Sequence, residues 1–156
     1  MDEFDLVVRS GTVVTAADSV LSDVGVSDGR ICALANNLPP GRKEVDASGL
    51  LILPGGVDGH CHLDQPLNDG AEMADDFFSG TRSAACGGTT TVIPFACQMK
   101  GDSLRAAVED YHQRAEGKAV IDYAFHLIVS DPTEQVAWPG TPRTHRRRVI
   151  RRSRST

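Results

Sequence analysis

From Phe4 to Ala35 the chain alternates apolar and polar positions in short runs, FDLVVRSG, TVVTA and VLSDVGVSDGRICALA. Period-two alternation bounded by turn formers marks half-buried strands, so this stretch predicts antiparallel β structure with turns at Ser10-Gly11 and Asp28-Gly29. NNLPPGRK, Asn36 to Lys43, reads as a loop, and EVDASGLLILPGG as a return to an apolar strand that stops at Pro54-Gly55-Gly56. Beyond that stop the rhythm becomes strand-helix-strand, the signature of a parallel α/β sheet. VDGHCHL is the first strand of this kind. Residues 75 to 86 then place Phe77, Phe78, Thr81, Ala84 and Ala85 on one helical face, with Asp75 or Asp76 as cap and Gly87-Gly88 as stop. TTTVIPF is the second strand. A second helix, 102 to 117, carries Leu104, Ala107, Val108, Tyr111 and Ala115 on one face, and AVIDYAFHLIVS, 119 to 130, is the third strand.

The three strands begin near positions 58, 89 and 119, a period of roughly 30 residues that suits successive βα units. A fourth is due near position 150, where the chain instead reads THRRRVIRRSRST. The repeat stops without closing a barrel.

Charge divides the chain at the same place. The net charge is −5, yet all 21 acidic residues precede Ala137, while Arg143, Arg146, Arg147, Arg148, Arg151, Arg152 and Arg154 follow it. No aromatic residue lies among these arginines for base stacking, and the acidic remainder opposes approach to phosphates, so no nucleic-acid partner is expected. A disordered tail is the simpler reading, and a reading-frame shift in GC-rich DNA is the hypothesis for its Arg, Pro, Ser and Thr content. The acidic start is unlike a signal peptide, and no apolar run approaches the roughly 18 residues of a membrane span. A cytoplasmic protein with no membrane partner is expected. Cys32, Cys61, Cys86 and Cys97 form no CxxC pair and read as reduced core thiols.

The candidate chemistry lies in PGGVDGHCHLDQP, residues 54 to 66. On a strand, residues i and i+2 share a face, so Asp58, His60 and His62 are expected to project together. Two imidazoles at the end of a parallel strand suit a shared Zn²⁺ or similar ion, and strand ends followed by long polar loops carry the catalytic groups of (β/α) barrels. The HxH spacing alone is a weak motif. His126 is flanked in alternation by Ala124 and Ile128 and reads as a buried, hydrogen-bonded histidine; His112 reads as part of a solvated helix face, and His145 has no role.

Four blocks, GTVVTAADSVLSDVGVSDGRICAL, LLILPGGVDGHCHLDQP, ADDFFSGTRSAACGGTTTVIPF and IDYAFHLIVSDPT, together resemble the cyclic amidohydrolases, specifically the dihydropyrimidinase and hydantoinase group, over about residues 4 to 136. The resemblance implies an α/β chain: residues 1–54 contribute strands to a small β-sandwich, 55–136 form the first three βα units of a truncated metal-dependent (β/α)₈ TIM barrel, and 137–156 are the Arg-rich tail. It implies that His60 and His62 ligate Zn²⁺ of a binuclear centre, and that loops 64–73 and 94–99 border the substrate pocket, with Asp64 and Phe95 among its residues. The implied reaction is hydrolysis of a cyclic amide C–N bond, opening a dihydropyrimidine or hydantoin ring to an N-carbamoyl amino acid. Full-length relatives of this kind are expected to be homotetramers.

The family's carboxylated lysine, two further histidines and an aspartate have no matching positions here. Lys118 precedes the third strand, and Lys43 and Lys100 are in loops. A catalytic zinc normally takes three protein ligands and a water, so the site is incomplete and the chain is expected to be an inactive fragment with uncovered apolar faces and poor solubility. The competing expectation is a small metal-binding or interaction domain without catalysis.

Overall fold

A computed structural model describes residues 4–67 and 71–132. The Arg-rich tail, His145 and the position where a fourth strand was due lie outside them. The chain divides into two compact units, Met1–Pro54 and Gly55–Thr156.

The first unit is a mixed sheet of β1 (Phe4–Val14), β2 (Ser19–Ser27), β3 (Arg30–Ala35), β4 (Gly41–Asp46) and β5 (Leu51–Ile52). Its order is β3-β2-β1-β4, with β5 also on β1. The β1–β2 and β2–β3 pairs are antiparallel, as the alternation predicts. Asp28 and Gly29 both have positive φ, 50° and 69°, the geometry of the two-residue type I′ turn whose twist matches a hairpin.

Two expectations are corrected in this unit. Ser10-Gly11 is not a turn between strands: β1 runs through it as one 11-residue strand, and the register with β2 shifts between Val8 and Gly11. Ser10, at φ 56°, forms a bulge, which local sequence signals in the same residues as a turn. Within the loop reading of 36–43, Gly41 to Lys43 belong to β4, which lies parallel to β1. Arg42, Lys43 and Glu44 are exposed there, so no apolar alternation announced the strand.

Asp23 holds these irregularities together. Its nearly buried carboxylate accepts the Ser10 N–H (2.9 Å), the Leu38 N–H (3.1 Å) and Arg9 Nη1–H (3.0 Å). Arg9 also donates to the Leu38 carbonyl at 2.7 Å and to Glu44. The Ser10 amide first, then Arg9 and the Leu38 amide, hold the Asp23 carboxyl below the ordinary aspartate range against the opposing effect of burial. A carboxyl whose folded pKa is lowered stabilises the fold above its unfolded pKa of about 3.9, and this contribution is lost as pH falls through the folded value. Asp23→Asn is therefore expected to lower the urea midpoint at neutral pH and to narrow its gap from wild type below about pH 4. A gap that stays constant from pH 7 to 3 would remove Asp23 from the acid response.

The second unit is built from β6 (Gly56–Cys61), α1 (Phe77–Cys86), β7 (Thr89–Cys97), α2 (Leu104–Ala115), β8 (Asp122–Tyr123) and β9 (His126–Ile128). All of its strand pairs are parallel, with β7 central. Helix α1 starts at Asp76, whose carboxylate accepts the Ser79 N–H at 2.7 Å while Ser79 Oγ accepts the Asp76 N–H at 3.1 Å, a reciprocal cap. Helix α2 starts at Ser103, which accepts the Ala106 N–H. Leu63, Phe77, Val92, Ala96, Tyr111 and Ala115 form the buried core between helices and sheet.

Several expectations here need correction. Phe78 is 48% exposed, so it does not share the buried face with Phe77, and Ala85 is exposed as well. His112 is half-buried, its ring centroid 5.0 Å from that of Phe125, and is not a solvated face. The third strand starts at Asp122 and is broken at Ala124-Phe125, because the helix exit takes the residues before it: Lys118 and Ala119 both donate to the Ala115 carbonyl, and Gly117 has φ 75°. All four cysteines are free, but Cys32 and Cys86 are exposed and are not core thiols.

Candidate functional site

Parallel strands bring their C-terminal ends to the same side of a sheet, and there His60 and Phe95, near the ends of β6 and β7, meet His126 at the start of β9, with His62 just past the end of β6. The centroids of His60 and His62 are 5.7 Å apart with the rings nearly perpendicular. Phe95 touches both, edge-on to His60 at 4.6 Å and stacked on His62 at 5.1 Å. It also meets His126, with ring centroids 5.1 Å apart.

The HxH geometry differs from plain alternation. Asp58 pairs with Val92 and Cys61 with Pro94, so Gly59 and His60 together face the single residue Ile93. This is a β-bulge, a device that re-aims side chains beside functional sites. The Asp58 carboxylate bends back to accept the His60 N–H at 3.0 Å, so Asp58 supports the bulge in place of projecting beside the imidazoles.

His62 is held from both sides. Cys61 packs against the core, where burial and the charge of Asp58 push its thiol upward in pKa. Leu63 is buried and lies so close over α1 that a Cβ on Gly80 would come within 2.3 Å of it. The next residue, Asp64, gives its N–H to the Asp75 carbonyl at 3.0 Å, while its own carbonyl accepts from Arg114 at 3.1 Å. Its carboxylate faces Arg114 at 3.5 Å and Lys118 at 4.0 Å. Asp64 is thus tied to the end of α2, whereas Phe95 sits directly against the histidines. Part of the 64–73 loop, residues 68–70, lies outside the described residues.

Sequence reasoning passed over three participants. His126 is exposed, not buried, and its Nε2 meets the Gly59 carbonyl at 3.1 Å. Gln65 Oε1 accepts a hydrogen bond from His62 Nδ1–H, which leaves Nε2 as the basic nitrogen. Gln98, 2% exposed, donates to the Asp102 carbonyl at 2.7 Å and accepts the Asp131 N–H at 3.3 Å, tying the loop after β7 to the segment after β9. Only the position of Gln65, three residues after His62, offered a signal.

The chemistry of the donors suits a metal ion in part. With Zn–N bonds near 2.0–2.1 Å, two imidazoles on one ion have centroids roughly 5–6 Å apart, and His60 and His62 meet that spacing. Among the described residues, however, no cluster of three or more His, Cys, Asp or Glu is arranged to hold an ion.

The model of the amidohydrolase family matches residues 51–152, which include both histidines and the second unit's parallel sheet. The chain belongs to the amidohydrolase family. This amidohydrolase chain is 47% identical over 135 residues to a D-hydantoinase of Streptomyces coelicolor, a match covering 83% of the chain and 29% of that relative. It is 41% identical over 131 residues to the dihydropyrimidinase of Rattus norvegicus, covering 80% and 25% respectively. A solved D-hydantoinase structure superposes with TM-score 0.81 at 41% identity, over 85% of this chain and 29% of that one. The chain therefore spans less than a third of the length of these relatives. No helix among the described residues is long and apolar enough to cross a membrane.

Proposed function

We propose that His60 and His62 are two ligands of a Zn²⁺ centre that, in a protein with the remaining ligands, hydrolyses the C–N bond of a cyclic amide, opening a dihydropyrimidine or hydantoin ring to an N-carbamoyl amino acid. The observation that carries this is the pair of neighbouring imidazoles at the C-terminal strand ends, one oriented by Gln65 with its Nε2 left basic. Kinship supports it: amidohydrolases are generally metal-dependent, and relatives over this region are named D-hydantoinase and dihydropyrimidinase.

In this reading, 1–54 supplies strands of a β-sandwich and 55–136 the opening βα units of a (β/α)₈ barrel; the assembled protein is a cytoplasmic homotetramer, and the binuclear site is incomplete in this chain. Bound Zn²⁺ supplies a nucleophilic water near neutral pH and polarises the ring carbonyl. The chain's own residues orient and hold: Gln65 sets the His62 tautomer, Phe95 is the apolar wall against which both imidazoles rest, and Asp64 braces the pocket rim through Arg114. With two donors described, no hydrolytic step is assigned to this chain alone. A metal-binding domain without catalysis is the second reading, and the missing third donor among the described residues favours it.

The test is Zn²⁺ titration of the 156-residue chain with the imidazole ¹⁵N signals observed, followed by a ring-opening assay on dihydrouracil and a 5-substituted hydantoin. The signals of His60 and His62 are expected to move together as one ion binds. Gln65→Ala is expected to weaken binding about tenfold, as loss of a partner that orients a ligating imidazole does. If neither signal responds, the metal reading fails; if zinc binds and neither ring opens, the second reading holds for this chain.

A further inference from the structure

The bulge that re-aims His60 removes Gly59 and His60 from the regular register of β6 with β7. The His60 N–H is recovered by Asp58 at 3.0 Å. The Gly59 carbonyl meets an imidazole that arrives from two strands away, on a residue 67 positions later in the chain: His126 Nε2, at 3.1 Å. A carbonyl only accepts, so Nε2 must carry the proton.

We infer that His126 is a positioning residue for His60, a strap from β9 across the inner strand β7 that holds the Gly59 carbonyl and so fixes the direction in which the bulge points the His60 ring. Three observations agree. His126 begins β9 in direct register with Phe95, so its ring lies beside the aromatic wall, 5.1 Å from the Phe95 centroid. Phe95 in turn contacts His60 at 4.6 Å, which makes the strap and the wall one support. A nitrogen that donates to a carbonyl has no lone pair for a metal, so in this contact His126 Nε2 serves the backbone and not an ion. Gly59 needs no room for this contact, since nothing lies within 4 Å of where its Cβ would be; what His126 uses is the backbone oxygen.

The consequence for metal binding rests on the zinc reading above, whereas the strap itself does not, and the experiment separates them. In the wild-type chain above pH 8, imidazole ¹H–¹⁵N spectra are expected to show His126 protonated at Nε2. A proton on Nδ1 overturns the proposal without need of any variant. His126→Phe keeps a ring against Phe95 and removes the donor; His126→Gln keeps a donor and removes the ring. The Gly59 ¹³C carbonyl resonance is expected to shift in the first and to stay near wild type in the second. Zn²⁺ affinity is expected to fall about fivefold in His126→Phe and to remain within about twofold in His126→Gln. Equal losses in both variants would make ring packing the cause and overturn the strap, as would a Gly59 resonance indifferent to both. If the wild-type chain takes no zinc, the metal reading fails alone, and the tautomer and the Gly59 resonance still decide the strap.

Discussion

His60→Ala and His62→Ala are each expected to weaken zinc binding by more than the ten- to hundredfold that removal of an orienting partner costs, because in the proposed centre each variant lacks a ligand to the ion itself. Both rings end against Phe95 on the open side of the strand ends, and both are exposed, so truncation removes little packing. The chain should keep its far-ultraviolet dichroism while losing the ion. His112→Ala is the control: His112, on α2, has its ring against Phe125 and is not part of the proposed centre, so zinc affinity should be unchanged. Retention of affinity in both single variants would place the ion elsewhere in the chain.

Phe77→Ala has the largest expected effect on stability. Phe77 is fully buried in the first turn of α1, with Tyr123 and Phe125 at centroid distances of 6.1 and 6.2 Å. Truncating a buried phenylalanine costs about 3–5 kcal/mol, from lost transfer energy and from the cavity left behind. Ordinary domains have only about 5–15 kcal/mol in total, so the second unit should unfold or lose most of its cooperative transition in urea. Phe78→Ala, at a position 48% exposed, should stay within about 0.5 kcal/mol of wild type. Similar losses in the two variants would mean that α1 packs by a different face.

The contrast between Phe77 and Phe78 shows where periodicity reached its limit. An apolar arc fixes a helix and its approximate direction, but Phe77 and Phe78 are about 100° apart on the helix, and which of them meets the sheet depends on the sheet. The helix starts were readable to within a residue, Asp76 out of Asp75 or Asp76 and Ser103 out of Asp102 or Ser103, because a cap is a contact between residues three apart. The hairpin at Asp28-Gly29 was readable for the same reason: its two positive φ values are a local demand. Ser10-Gly11 carried a similar local signal, and it proved to be a bulge within β1, since only the pairing partner β2 distinguishes the two. The tail and the position where a fourth strand was due lie outside the described residues.

The site divides in the same way. The HxH spacing was weak by itself, and its place at a strand end together with the ordered blocks around it made His60 and His62 candidates and indicated an amidohydrolase, because short motifs are written in consecutive positions. Other features depended on elements that meet only after folding: the bulge at Gly59-His60 on the register with β7, the bracing of Asp64 by Arg114 fifty positions away, and the contact of His126 with Gly59. A strand's side-chain period is set by its own backbone, whereas its register, its bulges and the partners of its freed carbonyls are set by neighbours distant in the chain, and no local pattern encodes those.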